Sequence, residues 1–207
     1  MELERLNIFD EQYRHLGTAT REEVHRLGHW HETFHCWFVC REKEENHLYF
    51  QLRSPEKKDY PDLFDITAAG HLLATENVKD GIREVKEELG IAVDYDELMP
   101  LGIAKYSVVS EQLVDNELAN VFLYNWKGNL EDFQLRVEEV SGIVRVKLVD
   151  FALLISEQKQ EVKVEGFTVN HKGERANTSK SVSRESFVPH EKAYYESVLR
   201  SIQEKLL

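Results

Sequence analysis

Apolar and polar positions change rhythm several times along this chain, and each change predicts an element. Residues 6–10, LNIFD, read as a short strand, and the capping box Thr20-Arg21-Glu22-Glu23 then predicts a brief helix that runs to about Leu27 and stops at Gly28. Two strand-like runs follow at 34–40 and 47–52, joined by the charged stretch REKEEN in the pattern of a hairpin. Residues 54–76 keep no period, hold Pro55 and Pro61, and read as a long irregular loop, which inside a compact domain is usually functional. Val78, Ile82, Val85 and Leu89 then recur at helical spacing ahead of Gly90, which predicts an amphipathic helix of about three turns. Further strands are expected at 101–108, 118–126 and 143–149, with a short helix at 151–156. Past Glu157 the texture changes. VKVEGFTVNHKGER looks like a hairpin arm, ANTSKSVSRES is polar and serine-rich, and 189–207 form a terminal helix with Tyr194, Val198 and Ile202 on one stripe. Strands mixed with few helices indicate an α+β protein or an α/β/α sandwich with a mixed β-sheet.

With 207 residues, 42% of them hydrophobic, the chain can bury one sizeable core. The expected division is a strand-helix extension over 1–28, a core domain over 29–158, and an arm and helix over 159–207 packed on the same domain. That arm is suited to packing on the core, covering a site or making a homodimer contact, and the sequence does not choose among these. The opening MELERLNIFD has acids among its apolar positions, unlike a secretory signal, and no apolar run reaches membrane-spanning length, so a soluble, cytoplasmic protein is expected. Cys36 and Cys40 lie roughly 13 Å apart along a strand, beyond disulfide reach, and are expected as buried thiols. A formal charge of -12 disfavours nucleic acid and anionic membranes as partners and suits a protein that recruits cations.

The predicted helix separates core from chemistry. Residues on a helix advance by about 100°, so Glu84, Glu87 and Glu88 share one face while the apolar stripe takes the other. Three carboxylates so close repel one another unless a cation sits among them, and oxygen ligands favour magnesium or manganese. Gly70-His71 precedes the helix, and Arg83-Glu84-Val85, Glu87-Glu88 and Gly90-Ile91 follow in order. This pattern resembles the Nudix box. A chance match to its helical portion is expected on the order of once in ten thousand chains. The resemblance implies a Nudix fold, with Glu84, Glu87 and Glu88 as ligands of Mg2+ or Mn2+ and Arg83 as the structural arginine. It further implies a small-molecule diphosphate substrate whose anhydride is attacked by water, with Glu87 or Glu88 as first choice for general base and Glu139 as a candidate from outside the helix. Only six residues separate Glu76 from Arg83, one fewer than in the family, so either Glu76 takes the early glutamate's role through a tightened helix entry or Thr75 stands in its place.

A second resemblance, over most of residues 1–150, is to isopentenyl diphosphate isomerase, itself a Nudix-fold enzyme. Gly17-Thr18-Ala19-Thr20 through His25, then His31, His71, Asp115 and Glu117, follow the order of that enzyme's metal ligands, with aspartate replacing one glutamate. Arg53 and Lys57 fall where it grips the diphosphate. Imidazole and carboxylate together suit manganese, zinc or iron. The isomerase carries its catalytic cysteine just before the Gly-His pair, where this chain has Ala69. A methyl group moves no proton, so the resemblance implies an isomerase-related hydrolase rather than an isomerase. Trp30, Trp37, Tyr60, Phe64 and Tyr106 are read first as core aromatics, and second as a stacking surface for substrate.

Overall fold

In the computed structural model, which describes residues 4–109 and 114–206, strand β3 (Trp30–Glu42) organises its surroundings. Before it come β1 (Arg5–Phe9), β2 (His15–Thr20) and helix α1 (Arg21–Leu27); after it come β4 (Glu45–Arg53), β5 (Phe64–Ile66) and β6 (Ala68–His71). Helix α2 (Arg83–Leu89), β7 (Met99–Val109), β8 (Val114–Asn125), β9 (Val140–Lys147) and α3 (Leu148–Ile155) follow, and β10 (Glu161–Val169), β11 (Arg175–Ser183) and α4 (Lys192–Leu206) close the chain. Strand β3 pairs antiparallel with β1, β4 and β6 but parallel with β8, so the sheet is mixed.

Side-chain alternation along β3 explains the layers. Phe34, Cys36, Phe38 and Cys40 are buried on one face together with Val85 and Leu89 of α2. Trp37 and Val39 point the other way, into a second core with Phe151 and Leu154 of α3 and Tyr195 and Val198 of α4. Since successive strand side chains alternate faces, one strand serves two cores, and the result is the α/β/α sandwich. Both cysteines are free and buried, as expected, and burial pushes the Cys36 thiol up. No helix among the described residues is long and apolar enough to cross a membrane.

Local signals agree with the sequence at several boundaries. Thr20 and Glu23 form the capping box of α1, and Gly28 ends it in the left-handed conformation. The hairpin between β3 and β4 turns through Lys43 and Glu44, both at positive φ, as a tight two-residue turn requires.

Other expectations are corrected. Residues 54–76 are not one irregular loop: β5 pairs with β4 and β6 with β3, strands too short to show a period. The helix expected from Val78 is instead a 3-10 turn at Asp80–Ile82 followed by α2, and Val78 packs on the core from the preceding turn. Strand β2 was not expected, because its half-exposed HLGTAT carries little apolar alternation. The serine-rich stretch holds β11, which pairs with β10 along its whole length while facing solvent, so no hydrophobic rhythm marks it. Residues 1–3, at the start of the chain, and Leu207, where the terminal helix was expected to end, lie outside the described residues.

Candidate active site

Arg83, the first residue of α2, ties the carboxylate helix to the sheet. Its Nε and Nη2 engage both oxygens of Glu76, the Nη2–Oε2 distance being 3.0 Å, and Nη2 also donates to the His71 carbonyl at 3.1 Å. Burial opposes the Glu76 charge, but the Arg83 hydrogen bond and the Leu73 amide outweigh it and hold the carboxyl below its ordinary range. It is therefore Glu76, not Thr75, that meets the arginine, and the 3-10 turn at Asp80–Ile82 tightens the intervening segment.

Glu84 and Glu88 face inward from α2, whereas Glu87 stays about half exposed, 3.3 Å from Arg83. Glu88 is buried, and its Oε2 accepts hydrogen bonds from Gln51 Nε2 and the Ala69 amide, each at 3.2 Å. Burial, reinforced by the Glu84 charge, pushes its carboxyl up to about 8. Burial likewise raises Glu84. Gly70 lets the helix come this close: a Cβ there would collide with the Glu84 carboxylate.

Beyond Gly70 lies a second group, assembled from four elements. His25 comes from α1, His31 from β3, His71 from β6 and Asp115 from β8, and one ligand atom from each lies within 4.8 Å of all the others. His71 Nε2 is 3.2 Å from His25 Nε2, and Asp115 Oδ1 is 3.4 Å from His31 Nε2 and 3.5 Å from His25 Nε2. His31 Nδ1 lies 3.1 Å from the His29 carbonyl, which fixes the tautomer with Nδ1 protonated and leaves the Nε2 lone pair facing the group. Burial lowers His31 and holds His71 well below the usual imidazole range, so both rings are neutral. His31 Nε2 and Asp115 Oδ1 are buried without a hydrogen-bond partner among the described residues.

Glu117 sits apart from these four. Its Oε2 is 3.0 Å from His35 Nε2 and accepts from Thr33 Oγ1 at 2.9 Å and the Tyr106 hydroxyl at 2.7 Å. Burial opposes its charge, yet the His35 hydrogen bond outweighs it and holds the carboxyl well below the carboxylate range. At the other side, Lys57 pairs with Glu139, and Arg53 Nη1 donates to Asp65 Oδ2 at 2.9 Å.

One cleft of about 530 Å³ gathers most of these groups: Glu84, Glu87 and Glu88 line it, as do His25, His71, Asp115, Glu117, Arg53, Lys57 and Glu139, while His31 is buried behind them. Tyr60 and Tyr106 reach it, while Trp37 and Phe64 belong to the core. Asp65, Gln51 and His190 were missed by the sequence reading. Gln51 has a signal, a polar residue amid an apolar strand; His190 has none, because nothing in the arm's sequence says where it returns to the cleft.

Fold and site together define a Nudix-type hydrolase. A protein of Clostridium acetobutylicum described as an uncharacterised Nudix hydrolase is 41% identical over 204 residues, covering 99% of each chain, and the chain belongs to the Nudix hydrolase family. An isopentenyl-diphosphate delta-isomerase from Mycolicibacterium vanbaalenii is 26% identical over 117 residues, 56% of this chain and 63% of that one. The crystal structure of the MutT protein from Methanosarcina mazei Go1 shares the fold at a TM-score of 0.52 and 17% identity, covering 85% of this chain and 95% of that one. No family model matches the chain.

Proposed function

We propose that the protein is a metal-dependent Nudix pyrophosphohydrolase. Its substrate is a nucleoside diphosphate derivative or another small organic diphosphate, and it stands in an isopentenyl diphosphate isomerase-like branch that has lost the isomerase cysteine. The observation that carries this reading is the shared cleft, where the α2 glutamates and the histidine group open onto the same space beside Arg53 and Lys57.

The residues fit divalent cations. Neutral imidazoles and a carboxylate with unpartnered buried atoms, His31 Nε2 and Asp115 Oδ1, make a donor set suited to manganese, zinc or iron, and the oxygen-only set of Glu84, Glu87 and Glu88 suits magnesium or manganese. Bound there, such ions neutralise phosphate oxygens and lower the pKa of the attacking water. Arg53 and Lys57 orient the diphosphate, the arginine through its planar fork of donors. As water adds to phosphorus and the anhydride P–O bond breaks, Glu87, or Glu88 where a bound cation would have displaced its proton, takes the proton from the water, and Glu139, paired with Lys57, is the reserve candidate. Glu117, the fifth residue of the ligand set that the isomerase resemblance implies, takes His35 and Tyr106 on its oxygen rather than a place in the four-residue group.

The order of the histidine and carboxylate ligands favours an isomerase as the second reading, but Ala69 offers only a methyl to the cleft. The test is turnover of a panel of pyrophosphate compounds with Mg2+ or Mn2+. Turnover that falls by about a hundredfold or more in Glu87→Gln or Glu88→Gln supports hydrolysis by this helix. Nucleotide binding without turnover makes the protein a sensor, and conversion of isopentenyl diphosphate makes it an isomerase.

A further inference from the structure

The C-terminal arm delivers a side chain to the cleft. Phe187 bridges Phe64 of β5, the Val188 amide donates to the Phe64 carbonyl at 2.8 Å, and Arg184 Nη2 donates to the His190 carbonyl at 3.0 Å. These bonds run the segment beside β5 and set His190, 92% buried by its 8% exposure, into the wall of the cleft. Its ring packs against Tyr106, Tyr194 and Tyr195, with centroids 5.3 to 5.5 Å away.

Asp65 stands between this histidine and the arginine. Its Oδ1 meets His190 Nε2 at 2.8 Å and accepts the Ile66 amide at 2.8 Å, while its Oδ2 takes Arg53 Nη1 at 2.9 Å. Arg53 is further fixed by two donations to the Asp59 carbonyl, from Nε at 3.1 Å and Nη2 at 2.9 Å. His190 Nδ1 is left buried without a partner among the described residues. Packing alone gives no reason to bury an imidazole this way. Orienting Nε2 toward Asp65 does, since a buried carboxylate turns toward whatever donors it has, and the arginine turns with it.

We propose that His190 is a positioning residue which, through Asp65, holds the Arg53 guanidinium in the orientation that receives a diphosphate. This rests on the reading of Arg53 as a diphosphate grip. The arm is then part of the site rather than a cover for the core.

The experiment is calorimetric binding of inorganic pyrophosphate, with magnesium present, to the full chain and its variants. His190→Ala is expected to weaken binding about tenfold and Arg53→Ala at least as much, with the double variant no weaker than Arg53→Ala alone, the non-additivity of residues acting through one another. His190→Gln, whose amide can still donate to Asp65, restores most of the loss. Tyr195→Phe removes the arm's hydrogen bond to the Val188 carbonyl and leaves binding unchanged, which separates positioning from general loosening. If His190→Ala fails to fold, the near-isosteric Asp65→Asn carries the same expectation. Unchanged binding in His190→Ala, or losses that add in the double variant, overturn the role of His190 and leave Arg53 as the grip. Unchanged binding in Arg53→Ala, or no pyrophosphate binding by the native chain, overturns both.

Discussion

Glu88 has a carboxyl whose surroundings resist its charge. Its carboxyl, pushed up to about 8 from an ordinary 4.5, holds a proton in the folded state where the unfolded chain has released it. Between those two values the folded state binds more protons, so stability of the metal-free protein falls as pH rises through that window. Glu88→Gln removes the penalty. The metal-free variant should melt above the native chain at pH 8 and level with it near pH 4, while Mn2+ restores the native melting temperature at pH 8 more than that of the variant. The histidine group invites a parallel measurement: His31→Gln should lose about one equivalent of bound manganese by elemental analysis, while the α2 carboxylates keep theirs. At this scale the sequence was informative wherever neighbours on one helix share a face, as Glu84, Glu87 and Glu88 do. His190 was invisible because its partner Asp65 lies 125 residues away.

Among the elements, α2 is shorter than its apolar spacing suggests, because a 3-10 turn replaces its first turn and brings Arg83 onto Glu76. Periodicity reports which side chains face the core, not whether the backbone closes four-residue or three-residue turns, so the core face of the helix was legible and its length was not. Strands β5 and β6 were hidden for a related reason, being too brief to carry a period, yet β6 supplies both Gly70 and His71. Gly70 is where strand and helix constrain each other. Gly70→Ala should displace the Glu84 carboxylate, lower metal-dependent turnover by about tenfold or more, and leave the far-ultraviolet circular dichroism spectrum unchanged.

For the molecule as a whole, the arm is a stability element as well as a source of His190. Helix α4 buries Tyr194, Tyr195, Val198, Leu199 and Ile202 against the second core. At about 1.5–3 kcal/mol for each large apolar side chain, that burial reaches on the order of 10 kcal/mol, comparable to the entire stability of a typical domain. A chain ended after residue 158 should therefore be recovered unfolded or aggregated, as sedimentation and circular dichroism would reveal. The sequence flagged the apolar stripe of this helix but could not say what it covers, since a stripe names no partner. The parallel pairing of β3 with β8 has a kinetic consequence. Residues such as Thr33 and Asn120, 87 positions apart, must meet before the central sheet exists, whereas the β3–β4 and β10–β11 hairpins close locally. Such non-local closure makes for slow folding through a late, entropically costly encounter. Until β8 arrives, the half-finished sheet offers the β8-pairing side of β3, an open and strongly apolar strand edge, to any other chain in solution, so the yield on refolding should fall steeply as protein concentration is raised.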